Sequence, residues 1–167
     1  MGTGRVSCRT RAFALGCRME EGRLLTIGYE GKSLTEYLGQ LQAAGATLLC
    51  DVRQNPLSRK KGFSKKALAA ACAAAGIRYE HRPELGIPSA ERKAVKTPAQ
   101  KQALFDRYER RLPRAAPVLA EIGAWVEREG ERVALTCFER EACECHRHRL
   151  ARVLAAEGVG GGRVEDL

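Results

Sequence analysis

Two hydrophobic periods alternate along the chain. Residues 23–29 (RLLTIGY) form a short β-type run that closes on glycine. Ser33-Leu34-Thr35-Glu36 then has the spacing of a capping box, in which serine takes an orphan N–H and glutamate reaches back three residues. Leu34, Tyr37, Leu38 and Leu41 follow at i, i+3, i+4 and i+7, the stripe of an amphipathic helix. Gly45 stops it. Residues 47–52 (TLLCDV) are a continuous apolar run ended by an acid, as a buried parallel strand requires. A loop spans 53–62, and Ser64 is the candidate N-cap of an Ala-rich helix ending at Gly76. Phe63 and Leu68 have the spacing of a hydrophobic staple across that cap.

Residues 77–80 predict a third strand, and 81–96, with Pro83, Gly86 and Pro88, an irregular segment. Thr97-Pro98 opens a helix with an N-cap and an N1 proline, its inner face marked by Leu104, Tyr108 and Leu112 before Pro113. Pro117 opens another, with Leu119, Ile122 and Val126 inward and Gly130 at its end. Residues 132–137 (RVALTC) predict the fourth strand. Leu150, Val153 and Leu154 mark a last helix ending at Gly158, and 163–166 a fifth strand. Strands alternating with helices predict a single-domain α/β fold: an open, mostly parallel, Rossmann-like sheet of about five strands with helices on both faces. Order 3-2-1-4-5 would set strands one and four side by side at the switch point, and ligands bind such sheets beyond the strand carboxyl ends. The domain is expected over 21–167, with 1–20 a separate N-terminal arm.

Composition changes this picture in three ways. The 167 residues carry 29 Lys+Arg against 20 Asp+Glu, a net charge of +9 that points to an acidic or phosphate-bearing partner. Residues 1–18 hold four arginines and no acid, so the remainder carries +5. This arm reads as a mis-assigned start ahead of Met19, a disordered polyanion-binding tail, or a targeting signal. The apolar stretch before Arg18 is short for a secretory core. No apolar run approaches the ~18 residues of a membrane span, so no membrane partner is expected. Seven cysteines, an odd number without framework spacing, predict a reduced, cytoplasmic chain. Cys50 and Cys72 sit in apolar contexts and read as core.

The chemistry-bearing residues converge on the predicted carboxyl edge. Gly28, Tyr29 and Glu30 follow strand one. Asp51, Arg53, Asn55, Ser58 and Arg59 follow strand two. Residues 53–66 hold six cations and no acid, with Lys65 and Lys66 in the first turn of a helix. There they oppose the helix dipole unless an anion is held. The plainer reading is a solvated basic loop. Asp51 and Glu139 could divide acid and base roles or hold a divalent cation. Asp51 could equally be a strand-end carboxylate bonded to loop N–H groups or paired with Arg53. Residues 137–148 pack three cysteines and two of the three histidines into twelve positions. Cys137, Cys143, Cys145 and His146 are therefore weak metal candidates, since the spacing is not a usual structural one. Cys145, near a helix start beside Arg147, is a candidate low-pKa thiolate. Cys137 reads as core or thiol, His81 as structural. No dinucleotide fingerprint, P-loop, nucleophile elbow or H-E-x-x-H is present, and no cofactor beyond a divalent cation is expected.

Taken together, several motifs resemble one family. They are Thr26-Ile27-Gly28-Tyr29-Glu30-Gly31, Asp51-Val52-Arg53-x-x-Pro56-x-Ser58-Arg59, Gly62-Phe63-Ser64-Lys65, Glu84-Leu85-Gly86, and Cys137-x-Glu139 followed by Cys145-His146-Arg147. The ordered set, from about residue 24 to 154, resembles the domain of unknown function 488 family of bacterial and archaeal proteins. The resemblance implies a compact single-domain α/β fold and names no reaction. It places the family's characteristic polar residues on Asp51, Arg53, Ser58, Arg59, Cys137, Glu139, Cys145, His146 and Arg147, and leaves out Cys143 and His148.

Three functions are consistent with these residues. The first is an enzyme-like domain, hydrolase or transferase, binding a nucleotide or nucleic acid. Gly28, Tyr29, Arg53, Ser58, Arg59 and Arg147 would hold the ligand, and Asp51, Glu139, Cys145 and His146 would carry the chemistry. The second is a non-catalytic nucleic-acid-binding or regulatory module. The third is a thiol or metal protein using the 137–148 cluster.

Overall fold

The structure, a computed structural model, describes residues 22–167. The expected arm at 1–20 lies outside the described residues. Five strands form one parallel sheet: β1 (Arg23–Gly28), β2 (Leu48–Asp51), β3 (Arg78–His81), β4 (Arg132–Cys137) and β5 (Val164–Asp166). The helices are α1 (Leu34–Ala43), α2 (Lys65–Ala74), α3 (Ser89–Lys93), α4 (Pro98–Arg111), α5 (Ala116–Glu127) and α6 (His146–Ala156).

Side chains alternate across the strands and define two cores, as period 2 requires. Leu25, Ile27, Leu49 and Ala134 face Tyr37 and Leu41 of α1 and Leu68 and Cys72 of α2. Leu24, Leu48, Cys50, Val133 and Leu135 face Leu104 and Tyr108 of α4, Ile122 and Val126 of α5, and Leu150 and Leu154 of α6. Cys50 and Cys72 are fully buried free thiols.

The strand order is β3-β2-β4-β1-β5, not 3-2-1-4-5. Strands β1 and β4 are neighbours as expected, but β4 also pairs with β2, and β5 takes the far edge beside β1. The β1–α1–β2 connection skips one strand position. The vacated centre needs a strand apolar on both faces, and β4 supplies it: Val133, Ala134 and Leu135 are wholly buried. Chain order alone does not distinguish adjacent strands from strands separated by one.

Local signals set the starts of α1 and α4. Ser33 accepts from the Glu36 N–H at 3.2 Å and Glu36 returns the bond at 2.7 Å, closing the capping box. Thr97 and Gln100 form a second box at α4. Ser33→Ala should lower the unfolding free energy by about 1 kcal/mol. Urea denaturation would show this as a lower midpoint at unchanged slope; an unmoved midpoint would refute it. Segment 81–96 is more ordered than expected. Pro83 opens a short 3-10 turn (Pro83–Leu85), and α3 follows Pro88. Between them Gly86 lies against the 54 backbone, where a Cβ would fall 2.1 Å from Gln54 N.

Candidate functional site

Strands β1, β2 and β4 end on the same edge, and the start of α6 packs onto it. At the end of β2, Asp51 and Arg53 form a buried fork. Arg53 Nε donates to Asp51 Oδ1 at 2.8 Å and Nη2 to Oδ2 at 2.5 Å. The Arg53 backbone N–H reaches Oδ1 at 3.1 Å, and the Tyr79 hydroxyl donates to Oδ2 at 2.6 Å. The carboxylate's roughly four acceptor sites are thereby filled. The other end of the guanidinium, Nη1, donates to the Tyr29 hydroxyl and the Phe63 carbonyl, both at 2.9 Å. Burial works against the charged guanidinium, but the Asp51 hydrogen bonds and charge outweigh it, and the Arg53 pKa rises. Of the tasks open to Asp51, the two seen are a bond from a loop N–H and pairing with Arg53. Arg53 likewise spends its donors on protein acceptors instead of facing outward toward an anion.

His81 continues this network. Its Nε2 lies 2.8 Å from the Arg53 carbonyl, so that nitrogen carries the proton and Nδ1 accepts from Lys65 Nζ at 3.0 Å. Ser58 and Ser64 lock the basic loop through reciprocal bonds of 3.2 and 3.0 Å. Ser58 thus shapes the loop, while Arg59, Lys61 and Lys66 are exposed and without an ion pair among the described residues. Lys60 turns back and donates to the Tyr29 carbonyl at 2.9 Å.

At the end of β4 the chain passes over β1. Gly28 permits this, because a Cβ there would sit 1.8 Å from the Glu139 carbonyl oxygen. Arg147, only 1% exposed, fastens the same loop from beneath. Its Nη1 donates to the Glu139 carbonyl at 2.5 Å and its Nη2 to the Arg140 carbonyl at 2.9 Å. Its Nε approaches Thr26 Oγ1 at 3.3 Å, and Thr26 donates on to Asp166 at 2.5 Å. The expected ligand donor is instead the strut of the 138–145 loop.

That loop and α6 bring Cys137, Cys145 and His146 together. The Nδ1 of His146 is 3.7 Å from each sulfur, and its Nε2 is 3.2 Å from the Val52 carbonyl. The Tyr108 ring meets the imidazole edge-on at 5.3 Å. Burial opposes ionisation of Cys145. Hydrogen bonds from Cys137 and His146, with the charges of His146 and Arg147, overcome it and hold the thiol well below its ordinary value. The hydrogen bond to Cys145 and burial push Cys137 up. Glu139 is raised by burial and then by Cys145. One of its oxygens, Oε2, is buried without a hydrogen-bond partner. Cys143 is exposed and stands apart from the cluster, lining a surface hollow with Phe105 and Arg149.

Two groups beside the cluster were given no role from the sequence, although Arg140 is among the polar residues past β4. Phe138, between Cys137 and Glu139, is 42% exposed, and its ring lies 5.3 Å from Tyr29 in an edge contact. Arg140 lies over Gly31, where a Cβ would come within 2.3 Å of its Nη2, and its guanidinium has no acid partner among the described residues. Tyr79 was also missed, although strand alternation from its register places it on the Asp51 face. A hollow of about 800 Å³ lies at the opposite, amino end of β1 and carries none of these groups.

The parallel sheet with helices on both faces and this carboxyl-edge cluster define an α/β domain of the doubly wound class. The chain belongs to the family described as "Domain of unknown function DUF488", which matches residues 33–154. No curated protein and no solved structure matches it.

Proposed function

We propose that the chain is an enzyme-type domain that binds a phosphate-bearing ligand, a nucleotide, at the carboxyl edge and acts on it by hydrolysis or group transfer. The carrying observation is a juxtaposition. The exposed Phe138 ring and the unpaired Arg140 guanidinium flank Glu139, whose Oε2 is buried and unbonded. A nucleobase would stack on Phe138. Arg140, with the exposed Arg59 of the basic loop, would take phosphate, since guanidinium matches phosphate oxygens bidentately. Glu139 is the acid–base group, and Cys145 with His146 completes the reactive cluster. Asp51, Arg53 and Arg147 build the edge.

Titration of a fluorescent adenine nucleotide tests this reading. Phe138→Ala removes a stacking face worth about 1–3 kcal/mol. Arg140→Ala removes charge-assisted hydrogen bonds worth about 1.5–3 kcal/mol. Each should weaken binding about fivefold or more. Unchanged affinity in both variants would overturn the reading. Binding only to polynucleotide, falling steeply with salt, would instead favour a nucleic-acid-binding module.

A further inference from the structure

The cluster beneath Phe138 has the dimensions of a metal centre. The ligand atoms of Cys137, Cys145 and His146 all lie within 4.8 Å of one another. Both sulfurs stand 3.7 Å from the same imidazole nitrogen. Tetrahedral zinc, with Zn–S of about 2.3 Å and Zn–N of about 2.0–2.1 Å, requires a sulfur-to-nitrogen edge of about 3.6 Å. The second shell fits as well. The Nε2 of His146 keeps its proton on the Val52 carbonyl at 3.2 Å, so Nδ1, turned to both sulfurs, is the nitrogen that would bind the metal. Close by, Glu139 has the buried oxygen that nothing in the protein satisfies. The backbone of Glu139 is held by Arg147 and by the Gly28 contact.

We propose that Cys137, Cys145 and His146 form a three-ligand site for one zinc-type divalent cation, with Glu139 beside the open fourth position. Two thiolates balance a divalent charge, and a cysteine–histidine donor set selects a borderline-soft ion over magnesium or calcium. Three protein ligands with one open position are the arrangement of catalytic sites, whereas structural sites are closed by four. A bound cation supplies Lewis acidity and lowers the pKa of a coordinated water. Glu139 would accept the proton released there at Oε2. Cys143 and His148 are not ligands, which separates this site from the wider cluster visible in sequence. The inference rests on the proposed function only for the identity of the reactive edge.

The test is metal content of the full chain purified under reducing conditions without chelator, followed by cobalt(II) titration after chelator treatment. One equivalent of zinc is expected. The cobalt form should show tetrahedral d–d bands with thiolate charge transfer. Cys143→Ser should keep full stoichiometry. Cys145→Ser and His146→Gln should bind cobalt(II) at least about tenfold more weakly. Failure of the wild-type chain to bind either metal would overturn the proposal, as would a two-dalton mass deficit from a Cys137–Cys145 disulfide. Equal loss in Cys143→Ser would overturn it too. The wild-type titration decides even if a variant misfolds. No nucleotide is present in any of these measurements, so their failure leaves the Phe138 and Arg140 binding result standing on its own.

Discussion

Asp51→Asn should cost about 3–5 kcal/mol of stability, because it leaves the buried Arg53 guanidinium without its counter-charge. The substitution preserves size, so the loss reports charge and hydrogen bonding and not a cavity. Arg53 is 5% exposed and Asp51 fully buried, which denies the stranded cation water. In either orientation the amide would also turn a donor toward the guanidinium, at Nε or at Nη2, where only acceptors fit. Through the Phe63 carbonyl and the Tyr29 hydroxyl, Arg53 ties the 53–64 loop to β1, so the damage should spread into that loop. Denaturant unfolding with hydrogen exchange of residues 53–64 checks both effects. Adding Arg53→Met should recover part of the loss by removing the unpaired charge. A single-variant loss below about 1 kcal/mol would show that the fork is dispensable.

This fork also shows how far the site was legible in sequence. The convergence of Asp51, Arg53, Cys137, Glu139, Cys145, His146 and Arg147 on one edge follows from where each strand ends, and strand ends can be read from apolar runs closing on polar residues. What each group does there depends on its neighbours. Arg53 and Arg147 look alike in a sequence as anion-seeking cations, but each is buried with carbonyl, hydroxyl or carboxylate acceptors already in place. Those acceptors include backbone carbonyls of Phe63, Glu139 and Arg140, which no residue type announces. The same blindness hid Val52, whose carbonyl orients His146. Density of ligand types suggested a metal cluster but included Cys143, which the short 3-10 turn (Ala142–Glu144) carries out to solvent. The starts of α1 and α4 were readable because capping is local, whereas Ser64 at α2 turns its hydroxyl to the Ser58 carbonyl instead. The strand order was not, since the central slot between β1 and β2 is filled from more than eighty residues further along the chain.

Arg147→Met should lower stability by about 2–4 kcal/mol and loosen the 138–145 loop selectively. Methionine matches the buried volume but donates nothing. The Glu139 and Arg140 carbonyls and Thr26 Oγ1 then lose their shared donor, and each unsatisfied buried acceptor costs about 1–3 kcal/mol. Thr26 retains Asp166, which limits the damage on the β1 side. Arg147→Lys should fall between the two, because an ammonium keeps the charge but cannot span both carbonyls as the planar fork does. Amide exchange should accelerate from Phe138 to Cys145 in Arg147→Met while α1 and α2, on the other face of the sheet, stay protected. Uniform acceleration across the chain would mean that Arg147 supports the fold generally and does not position Glu139. Protection unchanged in both variants would remove the strut altogether. The loop that carries Glu139, Phe138 and Arg140 would then have to be held by the Gly28 contact and by the Glu30 bonds to Phe138 and Arg140.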